Sequence, residues 1–216
     1  MPRDPRPPLL LARHGETEWN RDDRIQGHTD VPLSAVGREQ AKALGARLGR
    51  SRVARIVSSD LLRARETAEA VAAATGAPIV LDARLREQHM GTWQGVRFDE
   101  IRRREPDLAT RFVRRDPNVR PPAGESREEL FARVWDAIDE HAAPGSDGPL
   151  LVVAHGGALQ MVIYRALGLP LSAPRRFSLP NCGLTSLLDR HGDWYVSTLS
   201  DSSHLPAPPS GSFPFE

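Results

Sequence analysis

The chain has 216 residues, a formal net charge of +1 and 39% hydrophobic residues, enough to bury one core of ordinary to large size and too balanced in charge to recruit nucleic acid or a membrane surface through a global field. Its single cysteine, Cys182, excludes an internal disulfide and fits a reducing compartment. No stretch approaches the ~20 apolar residues of a membrane span, and the opening residues Met-Pro-Arg-Asp-Pro-Arg-Pro-Pro lack the apolar run of a signal peptide, so the expected location is the cytoplasm.

Residues 1–7 are proline-rich and are expected to lack regular structure. Leu9–Ala12 reads as a buried strand and Ser34–Leu48 as a helix with Ser34 as its N-cap. Ala54–Val57 reads as a second strand, followed by a helix over Leu61–Ala74 that Gly76 closes, and Pro78–Leu81 as a third, short strand. A dense set of arginines follows (Arg97, Arg102, Arg103, Arg104, Arg111, Arg114, Arg115, Arg120), on helix-like segments broken by Pro106 and Pro117. It reads either as a solvated basic face or as a cap that attracts an anionic substrate. An amphipathic helix is expected over Arg127–Glu140. Leu150–Ala154 is the clearest buried strand, with a helix over Gly157–Leu167. Segments 184–188 and 194–199 flank a hairpin-like turn at Arg190-His191-Gly192-Asp193. From Leu205 onward the chain is too rich in Pro, Ser and Gly to pack regularly. Alternating strands and helices predict an α/β fold, a mostly parallel central sheet with helices on both faces and an antiparallel edge near the C-terminus.

The residues that promise chemistry lie where strands end. Arg13-His14-Gly15 follows the first strand, in the position where ligands bind an α/β sheet. Arg offers a planar fork that matches phosphate oxygens, and neutral His offers a nucleophilic ring nitrogen. Arg63 falls in the first turn after the second strand, and His155 ends the strand at 150–154. If those strands are neighbours, the three side chains converge. A helix starting near Gly156-Gly157 would add backbone donors and a partial positive charge, completing an anion pocket. No histidine or carboxylate cluster has the spacing of a metal site, so no metal and no cofactor is expected.

Four ordered segments, Arg13-His14-Gly15-Glu16-Thr17, Ser59-Asp60-Leu61-Leu62-Arg63-Ala64-Arg65, Leu85-Arg86-Glu87 with Gly91-Thr92-Trp93-Gln94-Gly95, and Ala154-His155-Gly156-Gly157, resemble the motifs of the histidine phosphatase superfamily, which includes the cofactor-dependent phosphoglycerate mutases. The likeness spans roughly residues 9 to 204 and is nearest to the superfamily's small bacterial phosphatases. It implies a three-layer sandwich in one domain over 1–204, with a helical cap insertion at about 97–126 that governs specificity and a flexible tail over 205–216. It implies His14 as the nucleophile, Glu87 as the general acid, and Arg13, Arg63 and His155 around the phosphoryl group. Asn20, Gln26, Gly27 and Gly156 would add substrate contacts. His14 should hold its proton on the nitrogen facing a local backbone carbonyl, and His155 should donate to the equatorial oxygens. Glu16, Glu18 and Glu66 compete with Glu87 on sequence alone.

The activity so implied is metal-independent hydrolysis of a small phosphorylated metabolite through a phosphohistidine, by a monomer or homodimer with no nucleic-acid or membrane partner. A phosphoglycerate mutase is the alternative, disfavoured by the short stretch between Glu87 and His155. A non-catalytic phosphate-binding protein fits less well, because every catalytic position is filled.

Overall fold

The computed structural model describes residues 5–146 and 148–206, so most of the expected tail, from 207 on, lies outside the described residues. In chain order the elements are β1 (Leu9–Arg13), α1 (Glu18–Arg21), α2 (Ala35–Leu48), β2 (Arg55–Ser58), α3 (Leu62–Thr75), β3 (Ile79–Leu81), α4 (Phe98–Arg104), α5 (Pro106–Val113), α6 (Arg127–His141), β4 (Leu150–Ala154), α7 (Gly156–Ala166), β5 (Leu184–Arg190) and β6 (Asp193–Asp201). The strands form one six-stranded sheet in the order β3-β2-β4-β1-β5-β6. β1 to β4 run parallel and β5 and β6 antiparallel, the mostly parallel α/β sheet with an antiparallel edge that the sequence predicts.

The layering follows from strand alternation. Leu150, Val152 and Ala154 of β4 face α6 and α7, packing with Leu130, Val134, Leu159 and Val162. Leu151 and Val153 face α2 and α3, packing with Leu44, Leu48, Ala64 and Val71. A strand covered on both faces must be apolar throughout, and β4 is buried at all five positions. Ser34 does cap α2, its hydroxyl accepting from the Gly37 N–H at 3.0 Å, an interaction worth ~1 kcal/mol. α3 ends at Gly76 as expected. No helix among the described residues is long and apolar enough to cross a membrane.

Two expectations gain detail. Pro106 separates two helical segments, α4 and α5, as expected. It is the first residue of α5, a position where its missing N–H costs nothing and its fixed φ suits the helix. Residues 5–8 lack regular structure, as expected, but Arg6 makes contacts. The Arg6 N–H donates to Asp189 at 3.0 Å and its guanidinium to the Gly192 carbonyl at 3.2 Å, stacked over Trp194, so the chain is fastened to the β5–β6 hairpin before it enters the sheet.

Candidate active site

Strand register assembles the anion-binding half. β1 and β4 pair with Arg13 opposite Ala154, so the next residues, His14 and His155, leave neighbouring strands at one height and their rings stand 5.1 Å apart. β2 pairs with β4 with Ser58 opposite Val153, which sets Ser59 on the other flank of His155. The helices after β1 and β4 depart to opposite faces of the sheet, opening the crevice between strand ends where α/β sheets bind ligands.

His14 is buried and its main-chain N–H donates to the Ala154 carbonyl at 2.9 Å. Its Nδ1–H donates to the Gly15 carbonyl at 2.7 Å, as expected, which leaves the Nε2 lone pair outward. Burial above all, then the charges of Arg63 and Arg13, hold its pKa well below the usual 6.5, so the ring is neutral at physiological pH.

The His155 ring is used differently from the expectation. Its Nδ1 receives the Arg63 Nε–H at 3.2 Å, so that nitrogen is an acceptor, and its Nε2–H donates to the Ser59 hydroxyl at 2.8 Å. Both nitrogens are taken by protein partners, and burial first, then Arg63, keeps this ring neutral too. Its contribution to the pocket therefore runs through the orientation of Arg63. That guanidinium is fully buried and also donates to the carbonyls of Thr29 at 2.9 Å and Gly27 at 2.8 Å. Burial lowers its pKa to about 10, which leaves it charged. Arg13 donates from Nη1 to the Leu179 carbonyl at 2.8 Å, and its Nε is buried with no protein partner. A buried N–H of a charged fork left open in this way is a donor awaiting an anion.

Asn20 spends its Oδ1 on the capping box of α1, accepting from the Thr17 N–H at 3.1 Å, and only its amide end is left for a substrate. Gln26 is buried beside Gly27, its Oε1 without a protein partner. Glu87 follows a turn of 3-10 helix at Ala83–Leu85 and reaches α7. One carboxylate oxygen accepts the Gln88 N–H at 2.8 Å and the other the Gly157 N–H at 3.1 Å. Of the two glycines at the expected helix end, Gly157 gives its N–H to the Glu87 carboxylate and Gly156 lies beside the Arg13 Nε. A Cβ on Gly157 would stand 2.3 Å from the carboxylate, so the Glu87 side chain keeps this position only while residue 157 is glycine. The competing acids are engaged elsewhere. Glu16 accepts from the Ser34 hydroxyl, Glu66 from the Leu33 N–H, and Glu18 pairs with Arg21 at the surface.

Most of the arginine run at 97–120 is a salt-bridged surface, with Arg97 and Arg103 on Asp99, Arg104 on Glu100, Arg111 on Asp116 and Arg120 on Glu129. Arg115 is the one of the eight arginines that is not exposed. It adopts φ 62° and donates to the Gln160 side chain at 3.2 Å. Gln160 and Tyr164 continue along α7 from Gly157 at spacings of one turn. Across this strip lies Arg127, buried, over the Tyr164 ring at 5.9 Å, with one guanidinium nitrogen bonded to the Leu171 carbonyl and another buried without a protein partner. Burial first, then Arg115, lowers its pKa to about 10. Arg175 feels the same burial and the same neighbour. Nothing in the sequence separates these arginines from the surface ones, because only the turn after α5 and the course of α7 bring them together. Among the described residues, no group of three or more His, Cys, Asp or Glu side chains could hold a metal ion.

Comparison with known proteins shows the family and the fold. A family model described as the histidine phosphatase superfamily (branch 1) matches residues 9–202. The chain is 41% identical over 206 residues to an Escherichia coli protein named probable phosphoglycerate mutase GpmB, covering 93% of this chain and 95% of that one. YhfR of Bacillus stearothermophilus has a similar structure (TM-score 0.86, 34% identity, 91% of this chain and 98% of that chain). So does a mycobacterial glucosyl-3-phosphoglycerate phosphatase solved with VO3 (TM-score 0.81, 34% identity, 91% and 100%).

Proposed function

Because the chain belongs to the histidine phosphatase superfamily and is a phosphoric monoester hydrolase of that family, we propose that it hydrolyses a small phosphorylated metabolite without a metal ion, through a phosphohistidine on His14. The observation that carries this reading is the His14 ring itself: neutral, its proton tied to the Gly15 carbonyl and its Nε2 lone pair outward, beside the open Nε–H of Arg13 and the fixed fork of Arg63. Nε2 attacks phosphorus as the bond to the leaving oxygen breaks, and Glu87 delivers a proton to that oxygen. The resulting carboxylate then takes a proton from water as the water oxygen displaces His14. Arg13, Arg63 and the Gly156 N–H hold the equatorial oxygens, supplying the charge a metal supplies elsewhere.

Residues 1–204 would then act as one catalytic domain, with the segment at about 97–126 as its specificity insertion. The strip of Arg115 and buried Arg127 favours esters that carry a second anionic group, such as a carboxylate, because one buried nitrogen of the Arg127 guanidinium has no protein partner and a buried cation calls for an anionic one. The phosphoglycerate in the mycobacterial relative's name is chemistry of that kind. The lone cysteine, buried and with its thiol pushed up to about 12 by that burial, suits a reducing cytoplasm.

The second reading, a phosphoglycerate mutase, is favoured by the name of the 41% identical relative. One assay separates the two. Inorganic phosphate release is measured over phosphoglycerates, other phospho-acids, sugar phosphates and nucleotide monophosphates, alongside isomerisation of 3-phosphoglycerate. Hydrolysis strongest on phospho-acids, surviving exhaustive chelation and inhibited by vanadate, is expected. Isomerisation faster than phosphate release, or activity lost on chelation and restored by magnesium or zinc, would overturn the proposal.

A further inference from the structure

The phosphate pocket is held by backbone register, but residues 86–90 around Glu87 belong to no strand or helix. One guanidinium organises it. Arg133, on α6, donates from Nη1 to the carbonyls of Arg84 and Arg86, both at 2.7 Å, and from Nη2 to the Glu87 carbonyl at 2.7 Å. Its Nε–H and the remaining Nη2–H go to Glu125. An arginine has five N–H donors, and all five are used. Three carbonyl oxygens converging on one point repel one another unless a cation sits between them, and a lysine, with three donors, could not also hold Glu125.

Glu125 carries the device further. Its carboxylate accepts the His89 N–H at 2.7 Å, its carbonyl receives the Gln88 side chain at 2.8 Å, and its N–H donates to the His89 carbonyl at 2.9 Å. His28 adds a second donor to the Glu87 carbonyl at 2.8 Å. The segment that returns from the arginine-rich insertion lies hard against the acid segment. A Cβ on Gly91 would stand 1.9 Å from the Pro122 carbonyl, and one on Gly124 would stand 2.4 Å from the His89 carbonyl. The pair is largely enclosed, with the two side chains 21% and 16% exposed.

Resting on the reading of Glu87 as the acid, we propose that Arg133, locked by Glu125, is a positioning residue that fixes the Glu87 carboxyl against the leaving group. It touches no substrate and acts only through the backbone of residues 84–89. A misplacement of about 1 Å can cost about 10²-fold in rate. The loss should therefore fall on the proton-transfer step and spare esters that need no proton.

The test is rapid-quench measurement of phosphoenzyme formation on an alkyl phosphate and on p-nitrophenyl phosphate, for the wild type, Glu87→Gln, Arg133→Ala and the double variant. Glu87→Gln should lose ~10²–10⁴-fold on the alkyl ester and far less on the aryl ester. Arg133→Ala should lose on the order of 10²-fold on the alkyl ester only, and Arg133→Lys should recover little of it. The double variant should be no slower than Glu87→Gln, since two residues acting through one step are not additive. Equal losses of Arg133→Ala on both esters, or a double variant slower by the product of the single losses, would overturn the proposal. If Arg133→Ala does not fold, Glu125→Gln carries the test, with a smaller loss confined to the alkyl ester expected and an equal loss on both overturning it. Glu87→Gln alone losing equally on both esters would instead overturn the acid assignment, so the two failures are distinguishable.

Discussion

His14, the proposed nucleophile, and Glu87, the proposed acid, are held by different means. His14 and His155 take their places from the ladder of β1 and β4, which fixes the height of the backbone that carries each ring. Glu87 sits on a loop, held by the Gly157 N–H above and the Arg133 fork below. A site built on a sheet ladder inherits its precision from main-chain pairing, which depends little on any one side chain. A site built on a loop needs dedicated side chains, and each becomes a point where function can be lost without loss of fold.

That contrast can be broken or sharpened by substitution. The largest effect belongs to the nucleophile: His14→Ala should abolish turnover, by ~10⁴-fold or more, together with acid-labile, base-stable phosphate labelling. Undiminished hydrolysis of an aryl phosphate by that variant would break the assignment. Next comes Arg63→Lys, which keeps the charge but loses the Nε–H on His155 and the planar fork on Gly27 and Thr29. Phosphoenzyme formation should slow ~10²–10³-fold on alkyl and aryl esters alike, the signature of the ladder-built half. Gly157→Ala should do the opposite. Its Cβ displaces the Glu87 carboxylate and leaves the pocket standing, so a loss of about 10- to 10²-fold is expected on alkyl esters alone. Equal losses on both would show that the two halves are one unit.

The smallest expected effect is on stability. His14 and His155 stay neutral in the fold with pKa values depressed below 6.5, whereas the unfolded chain protonates them near 6.5. The unfolded state therefore binds more protons below that pH, and stability is complete above about pH 6.5 and lost as the pH falls through it. Each histidine should contribute up to about 1.4 kcal/mol per pH unit in that window. Urea midpoints between pH 7.5 and 5.5 for the wild type and His14→Asn would show it, the variant having the shallower slope. A wild-type midpoint that does not fall would mean the pair is charged in the native state.

Much of this was legible in the residues. The apolar run at 150–154, the Ser34 cap and Gly76 are local signals, and the alternation of strands with helices leads to the sheet. The positions of Arg13, His14, Arg63 and His155 are legible because each follows a strand or opens a helix, so that adjacency of strands is enough to unite them. What could not be read is everything that depends on side chains meeting across long separations: the use of both His155 nitrogens by Arg63 and Ser59, the Glu87 contact with Gly157, the inward turn of Arg115 among arginines that mostly face solvent, and the convergence of three carbonyls on Arg133. No periodicity marks these residues, since each belongs to an element whose local pattern would be satisfied without it.

The pocket also has a history in the life of the chain. Arg63 and His155 are 92 residues apart in sequence, and the Asn181 side chain that bonds the His14 carbonyl is 167 residues from it. A ribosome-bound chain that has not yet delivered β4 has no His155, no α7 terminus and no Gly157 N–H for Glu87 to accept. Hydrolytic activity should thus emerge late and abruptly during synthesis, after loops of high closure entropy have been joined.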